Sequence, residues 1–342
     1  MRRFTLCAFA GLLCLPALPI VLGQVDDFED GTLQNWEGGS DPTNIPDGGS
    51  SGAGDNYLQI SAGRKGGIHL GTFNLVQWSG SYTDAGVKVL EFYLRNEGKT
   101  TLSMRIVLFN GTTRFTSTLA TILPPDNRWR RVAFPLRESD LTRVSGTGTY
   151  EQTMAFASRL LIRHDAGDPS TGGEAIIGQL GLDDITASAF GTVLPHALTY
   201  RRGSNISGGL PSLFFSDDQK LVSRPGPVFS TQLAPVLLEL AGTASYPNPA
   251  TLRFTLESSA STTSLVQKVF LFNYATALFV EFDSRPTTTS DFVIDVPTSE
   301  IGKYIDPLTQ QMKAQISYRQ TGTIFFYPWM VRQDLAVWKL DP

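Results

Sequence analysis

Cysteine is confined to the first stretch of the chain, as Cys7 and Cys14, so a downstream core stapled by disulfides is excluded. Histidine is almost as scarce: His69, His164 and His196 are the only three, and no two have the spacing of a paired-histidine zinc site. Charge is sparse at 18%, and a formal net charge of -4 is too mild and of the wrong sign for a general nucleic-acid binder. After the first stretch no apolar run reaches the roughly 18 residues of a spanning helix. A nucleophile elbow, a phosphate-cradling glycine loop and a dinucleotide fingerprint are all missing. Helix signals are rare; short turns are expected only at 138–143 and within 297–311.

The first stretch itself, MRRFTLCAFAGLLCLPALPIVLG, couples Arg2 and Arg3 to an apolar run broken by Pro16 and Pro19. It reads as a cleaved signal peptide over residues 1–23, with the mature chain starting at Gln24, free of cysteine and exported from a bacterial cell. Secretion, to the extracellular space, the cell surface or the periplasm, is the expected localisation, with no membrane span once the signal is removed.

Beyond it, 32 Gly and 20 Pro punctuate strand-length segments of period-two alternation, a composition of strands and turns. NYLQIS, VKVLEFYLRN, TLSMRIVLFN, RWRRVAFPL, SRLLIRH and QLGLDDITA form one series. The pattern lapses near AFGTVLPHALTY, and a second series runs from LPSLFFSD to LAVWKL. The expectation is an all-β chain of two tandem antiparallel β-sandwiches, 24–192 and 193–342.

Three motifs of the first half carry a resemblance: Asp26-Asp27-Phe28-Glu29 followed by Trp36, the run from Trp129 to Leu136, and Gly181-Leu-Asp-Asp-Ile-Thr186. With them the N-terminal half resembles galactose-binding-like jelly-roll carbohydrate-binding modules, most closely the glucan-binding family eleven. The C-terminal half, through Leu213-Phe-Phe-Ser-Asp-Asp218, Leu271-Phe-Asn-Tyr274 and Tyr327-Pro-Trp-Met-Val-Arg332, resembles an uncharacterised C-terminal domain of secreted bacterial proteins. The first resemblance implies a structural calcium ion where the first and last strands lie side by side, which here points to Asp27, Glu29 and Asp184. Asp27 and Glu29, two apart on a strand, share a face, and calcium takes hard oxygen ligands of this kind. Acids that only cap strand ends and face water are the competing reading. Asp217, Asp218 and Asp334 form a weaker analogous set.

A ligand face follows from strand register. With Leu90, Phe92 and Leu94 inward, Tyr93 and Arg95 fall opposite; Arg105, Arg131 with Trp129, and Arg163 fall on the same non-core register of their own strands. If these strands share one sheet, Tyr93, Arg95, Arg105, Arg131 and Arg163 line a basic, aromatic-interleaved face suited to sugar rings and acidic groups. An ordinary solvated face is the alternative. Trp36 and Trp129 read as packing, Trp329 and Trp338 as core of the second half, and Trp78 in a turn-like segment reads as an exposed ligand contact.

No catalytic residues are assigned: the adjacent acid pairs point to opposite strand faces, and Glu281-Phe-Asp283 is only a fragment of a glycosidase strand. The sequence therefore predicts a secreted, non-enzymatic protein binding a polysaccharide or cell-surface glycan. A self-assembling coat or appendage subunit, and more remotely a polysaccharide hydrolase, are the rival readings.

Overall fold

The computed structural model describes residues 19–63, 67–227, 233–298, 300–321 and 329–342. The expected signal segment falls mostly outside them, as do Tyr327 and Pro328 of the C-terminal motif. Among the described residues no helix is long and apolar enough to cross a membrane.

Strand follows strand, as the alternation predicts, in four antiparallel sheets. In the N-terminal sandwich a six-stranded sheet runs in the order Arg130–Pro135, Val89–Asn96, Gly178–Ser188, Tyr57–Ala62, Thr43–Ile45, with Val25–Asp26 added beside Gly178–Ser188. A seven-stranded sheet runs Leu141–Ser145, Thr113–Ser117, Leu102–Asn110, Arg159–His164, Gly71–Asn74, Trp36–Glu37, with Thr121–Leu123 on the edge of Leu102–Asn110. The period-two pattern decides which side chains meet between these sheets: Leu90, Phe92, Leu94, Leu160, Ile162, Leu180 and Leu182 are all buried in one core.

Pairing changes partners within a few residues of Ser188. Gly191–Val193 pairs with Trp338–Leu340 in the C-terminal sheets, and Val89 and Ala133 join the C-terminal core. There a six-stranded sheet contains Thr251–Ala260 and Val331–Asp341, and a five-stranded sheet runs Ala197–Arg202, Val236–Thr243, Gln311–Gln320, Leu265–Asn273, Leu278–Pro286.

The helices differ in part from expectation. Turns of 3-10 helix occupy Glu138–Asp140 and Ile301–Lys303, within the expected stretches. Two short α-helices, Tyr82–Ala85 and Tyr150–Ala155, were not anticipated. The second starts with a full capping box, in which Thr149 and Gln152 each satisfy the other's backbone N–H, a signal readable as T-x-x-Q.

Candidate functional site

The arginines expected on one face lie on two sheets. Val89–Asn96 and Arg130–Pro135 belong to the six-stranded sheet, Leu102–Asn110 and Arg159–His164 to the seven-stranded one, so Tyr93, Arg95 and Arg131 face away from Arg105 and Arg163. Alternation fixes whether a side chain points to the core; it carries no information on which sheet the strand joins.

On the six-stranded sheet, Arg95 is clasped between aromatic rings, its guanidinium 4.6 Å from the Tyr57 centroid and 4.4 Å from that of Trp129. It donates to Glu97 at 2.8 Å and to the Gly48 carbonyl at 2.8 Å, and the Trp129 indole donates to that same carbonyl at 3.1 Å. Trp129 reaches across Val89–Asn96 to Gly178–Ser188, where a Cβ on Gly181 would come within 2.8 Å of its ring, which is why the residue there has no side chain. Arg131 sits over the Tyr93 ring at 5.8 Å and pairs with Glu91 at 3.2 Å. The Ser50 N–H donates to Asp183 at 2.7 Å. The Gly/Ser-rich segment around residues 48–50 is thus docked onto this face, and its arginines are committed to internal partners.

The seven-stranded sheet carries a different constellation. Arg163 and Arg105 are directly opposed in register, a like-charge pair that would destabilise the sheet without compensation. Asp165, fully buried, supplies it at 2.8 Å from Arg163 and 3.9 Å from Arg105. Arg105 also donates to the carbonyls of Asp165, Ser117, Thr118 and Gly167. Burial pushes both guanidinium groups below their ordinary pKa, with Asp165 opposing the shift. Both are buried framework, so the sequence expectation that they contact ligand at a surface is corrected.

Next to them the same face opens. Arg159 lies 3.8 Å over the Phe109 ring and 5.0 Å over that of Phe73; Arg114 lies 4.9 Å over Phe109. Phe73 and Arg159 are half-buried, and Arg114 donates to the Thr171 carbonyl at 2.9 Å. Neither Arg114 nor Arg159 has an ion-pair partner among the described residues, and the Arg114 Nε is buried without a hydrogen-bond acceptor there. Burial, then repulsion from Arg114, lowers the pKa of Arg159. This row of Phe73, Arg159, Phe109 and Arg114 escaped the sequence reading, although Arg159 stands in the same RLLIRH register as Arg163. A guanidinium stacked on a ring keeps its edge donors available for hydroxyls or a carboxylate.

Trp78 is not an exposed ligand contact. It is fully buried, and its indole donates to Asp26 Oδ2 at 2.6 Å, while Trp36 donates to that same oxygen at 2.7 Å. Trp78 stands four residues before the short helix Tyr82–Ala85, and nothing in the local sequence identifies this buried acceptor, which comes from Val25–Asp26.

The first and last strands do lie side by side, Asp26 opposite Ile185, but the first strand ends at Asp26, so Asp27 and Glu29 lie in the loop after it, with Phe28 at φ 62° between them, and do not share a strand face. Repulsion from Asp27 and Glu29 adds to burial in raising the Asp184 pKa, so the three expected metal ligands share a neighbourhood. As placed, their oxygens serve the protein: Asp27 accepts from the Glu29 N–H and Gln34, Glu29 from the Asn56 N–H at 2.6 Å, and Asp184 from Ser50 at 3.2 Å. Among the described residues no group of three such side chains is placed to hold a metal ion.

No family model matches the sequence, and no curated protein matches it. The chain is similar to several solved structures. One is the N-terminal CBM22-1-CBM22-2 tandem domain of Paenibacillus barcinonensis Xyn10C, 14% identical, covering 94% of this chain and 98% of that one with a TM-score of 0.29. Another is the family 11 carbohydrate-binding module of Clostridium thermocellum in complex with a β-1,3-1,4-mixed-linked tetrasaccharide, 16% identical over 49% of this chain and 96% of that one, TM-score 0.32. A third is the extracellular domain of ANXUR1 from Arabidopsis thaliana, 9% identical over 94% and 97%, TM-score 0.35. The first two are carbohydrate-binding modules, the class that the N-terminal motifs resemble.

Proposed function

We propose that the N-terminal sandwich binds an extracellular polysaccharide, without chemistry on it, along the row Phe73, Arg159, Phe109 and Arg114. The observation that carries this reading is the stacking of two ion-pair-free, half-buried guanidinium groups on the buried Phe109 ring, on the outward register of a sheet. With Phe109 buried beneath the two guanidinium groups, the row offers the half-buried Phe73 ring to a sugar and planar donors to hydroxyls and uronate carboxylates. Arg105, Arg163 and Asp165 flank it on the same face as a buried, internally paired cluster. The signal-like N-terminal segment supports secretion, so the partner in this reading is a glycan outside the cell.

The test is retention of the full chain on a panel of soluble polysaccharides in native affinity gels. The double variant Arg114→Ala and Arg159→Ala is expected to lose binding at least tenfold, about 1.4 kcal/mol, with its melting temperature kept. Equal retention by the double variant rejects the row as the site.

The proposal extends to a divalent cation at Asp27, Glu29 and Asp184. Its support is the shared neighbourhood of the three acids beside the paired first and last strands, where burial, with smaller repulsion from Asp27 and Glu29, raises Asp184; each carboxylate would exchange an N–H or O–H partner for the ion.

A further inference from the structure

The five-stranded sheet of the C-terminal sandwich has an outward face on which basic side chains stand in excess in this mildly acidic chain. Val236, Leu238 and Leu240 turn inward to the core, so Leu237 and Glu239 face out; Val269 and Leu271 turn inward, so Lys268 and Phe270 face out. Strand pairing then aligns a row across the sheet. Arg202 lies opposite Leu237, Leu237 opposite Ser317, and Ser317 opposite Lys268. A neighbouring row sets Gln315 opposite Phe270 and Phe270 opposite Glu281, and on the other side Val266 lies opposite Arg319.

These residues line one groove of about 790 Å3. With strands about 4.8 Å apart, a groove crossing from the first strand of this sheet to the last is roughly 19 Å long, enough for several linked sugar rings.

Charge in the groove is unbalanced. Lys268 is paired with Glu281 at 2.7 Å. Arg202 donates to the Pro227 carbonyl at 3.1 Å, and neither it nor Arg319 has an ion-pair partner among the described residues. Arg319 is exposed, Arg202 and Phe270 are half-buried, and Gln315 and Ser317 provide neutral hydrogen-bonding groups between them. Two unpaired guanidinium groups flank an apolar floor of Leu237, Val266 and Phe270, so the complementary ligand carries regularly placed carboxylates on a chain with apolar ring faces.

We propose that this groove is a second binding site, on the C-terminal sandwich, for an acidic polysaccharide of the polyuronate class. Carboxylates of the chain reach Arg202 and Arg319, and a sugar ring lies against Phe270. The site is built from different strands, in a different sandwich, from the Phe73 to Arg114 row.

The experiment uses the full chain and polygalacturonate, with neutral mixed-linkage glucan as the comparison, in affinity gels at low and at 0.5 M salt. Arg202→Ala combined with Arg319→Ala is expected to weaken polygalacturonate retention at least tenfold, at an unchanged melting temperature. The same retention is expected to weaken with salt in the unaltered chain. The variant Arg114→Ala with Arg159→Ala serves as the internal control: if it abolishes polygalacturonate retention while the groove variant does not, the groove is rejected and the N-terminal row stands. Retention of the neutral glucan that also falls in the groove variant overturns the assignment to an acidic ligand.

Discussion

Trp78 donates its indole N–H to Asp26 across 2.6 Å, both side chains being buried. The same carboxylate oxygen takes the Trp36 indole and the Gln77 amide, so three donors, two from the turn at 77–78 and one from the strand Trp36–Glu37, converge on the second residue of the first strand. Their rings meet 6.2 Å apart at 47°. Trp78→Ala is therefore expected to destabilise the protein by about 3–5 kcal/mol through the cavity and the lost donor. Urea denaturation measures it; a change below about 1 kcal/mol would contradict the burial.

Asp183 gives the fold a pH response. Burial, aided by Asp184 and Asp55, raises its pKa from 3.8 to about 7. The folded chain thus holds the proton more tightly than the unfolded one. The resulting stabilisation is complete below about pH 4 and is lost as pH rises through about 7. Denaturation midpoints at pH 4 to 8 are expected to fall across this window, and Asp183→Asn is expected to flatten that part of the profile.

Asp165 separates two directly opposed arginines. Asp165→Ala leaves Arg105 and Arg163 buried and uncompensated and is expected to cost about 3–5 kcal/mol. Asp165→Asn, which keeps acceptor and shape, is expected to cost less. A loss below about 1 kcal/mol for Asn, in the same denaturation assay, would rule out charge compensation as its role.

Calcium at Asp27, Glu29 and Asp184 is checked by melting with and without chelator. An ion present at a hundredfold above its Kd contributes about 2.7 kcal/mol, so chelation is expected to lower Tm and added calcium to restore it. Asp184→Asn is expected to remove that response. A chelator-insensitive Tm in the unaltered chain would end the proposal.

Much of the architecture was legible because alternation survives in nearly every strand: Leu90, Phe92 and Leu94 could be placed inward without any knowledge of the sheet. The pairing of Val25–Asp26 with Gly178–Ser188 followed from the resemblance. Sheet membership was not legible, since nothing local to LSMRIVL or VLEFYLRN states which strand it will pair with, and so one expected face became two. Trp78 was misread for a related reason: its acceptor is 52 residues away in sequence. Arg159, by contrast, was visible in register and gained meaning only when Phe73 and Phe109 arrived on either side of it.

Only Ala189 and Phe190 separate the last strand of one sandwich from the first of the next, and Glu91 takes the Thr192 N–H at 2.6 Å. Arg137 adds a bond to the Asn248 carbonyl at 2.7 Å. A joint this short and this well tied does not behave as a loose tether. With both proposed glycan sites held at a set spacing, avidity would depend on the geometry of the polymer: a chain whose path matches that spacing would gain from both at once, and one that bends elsewhere from a single contact only.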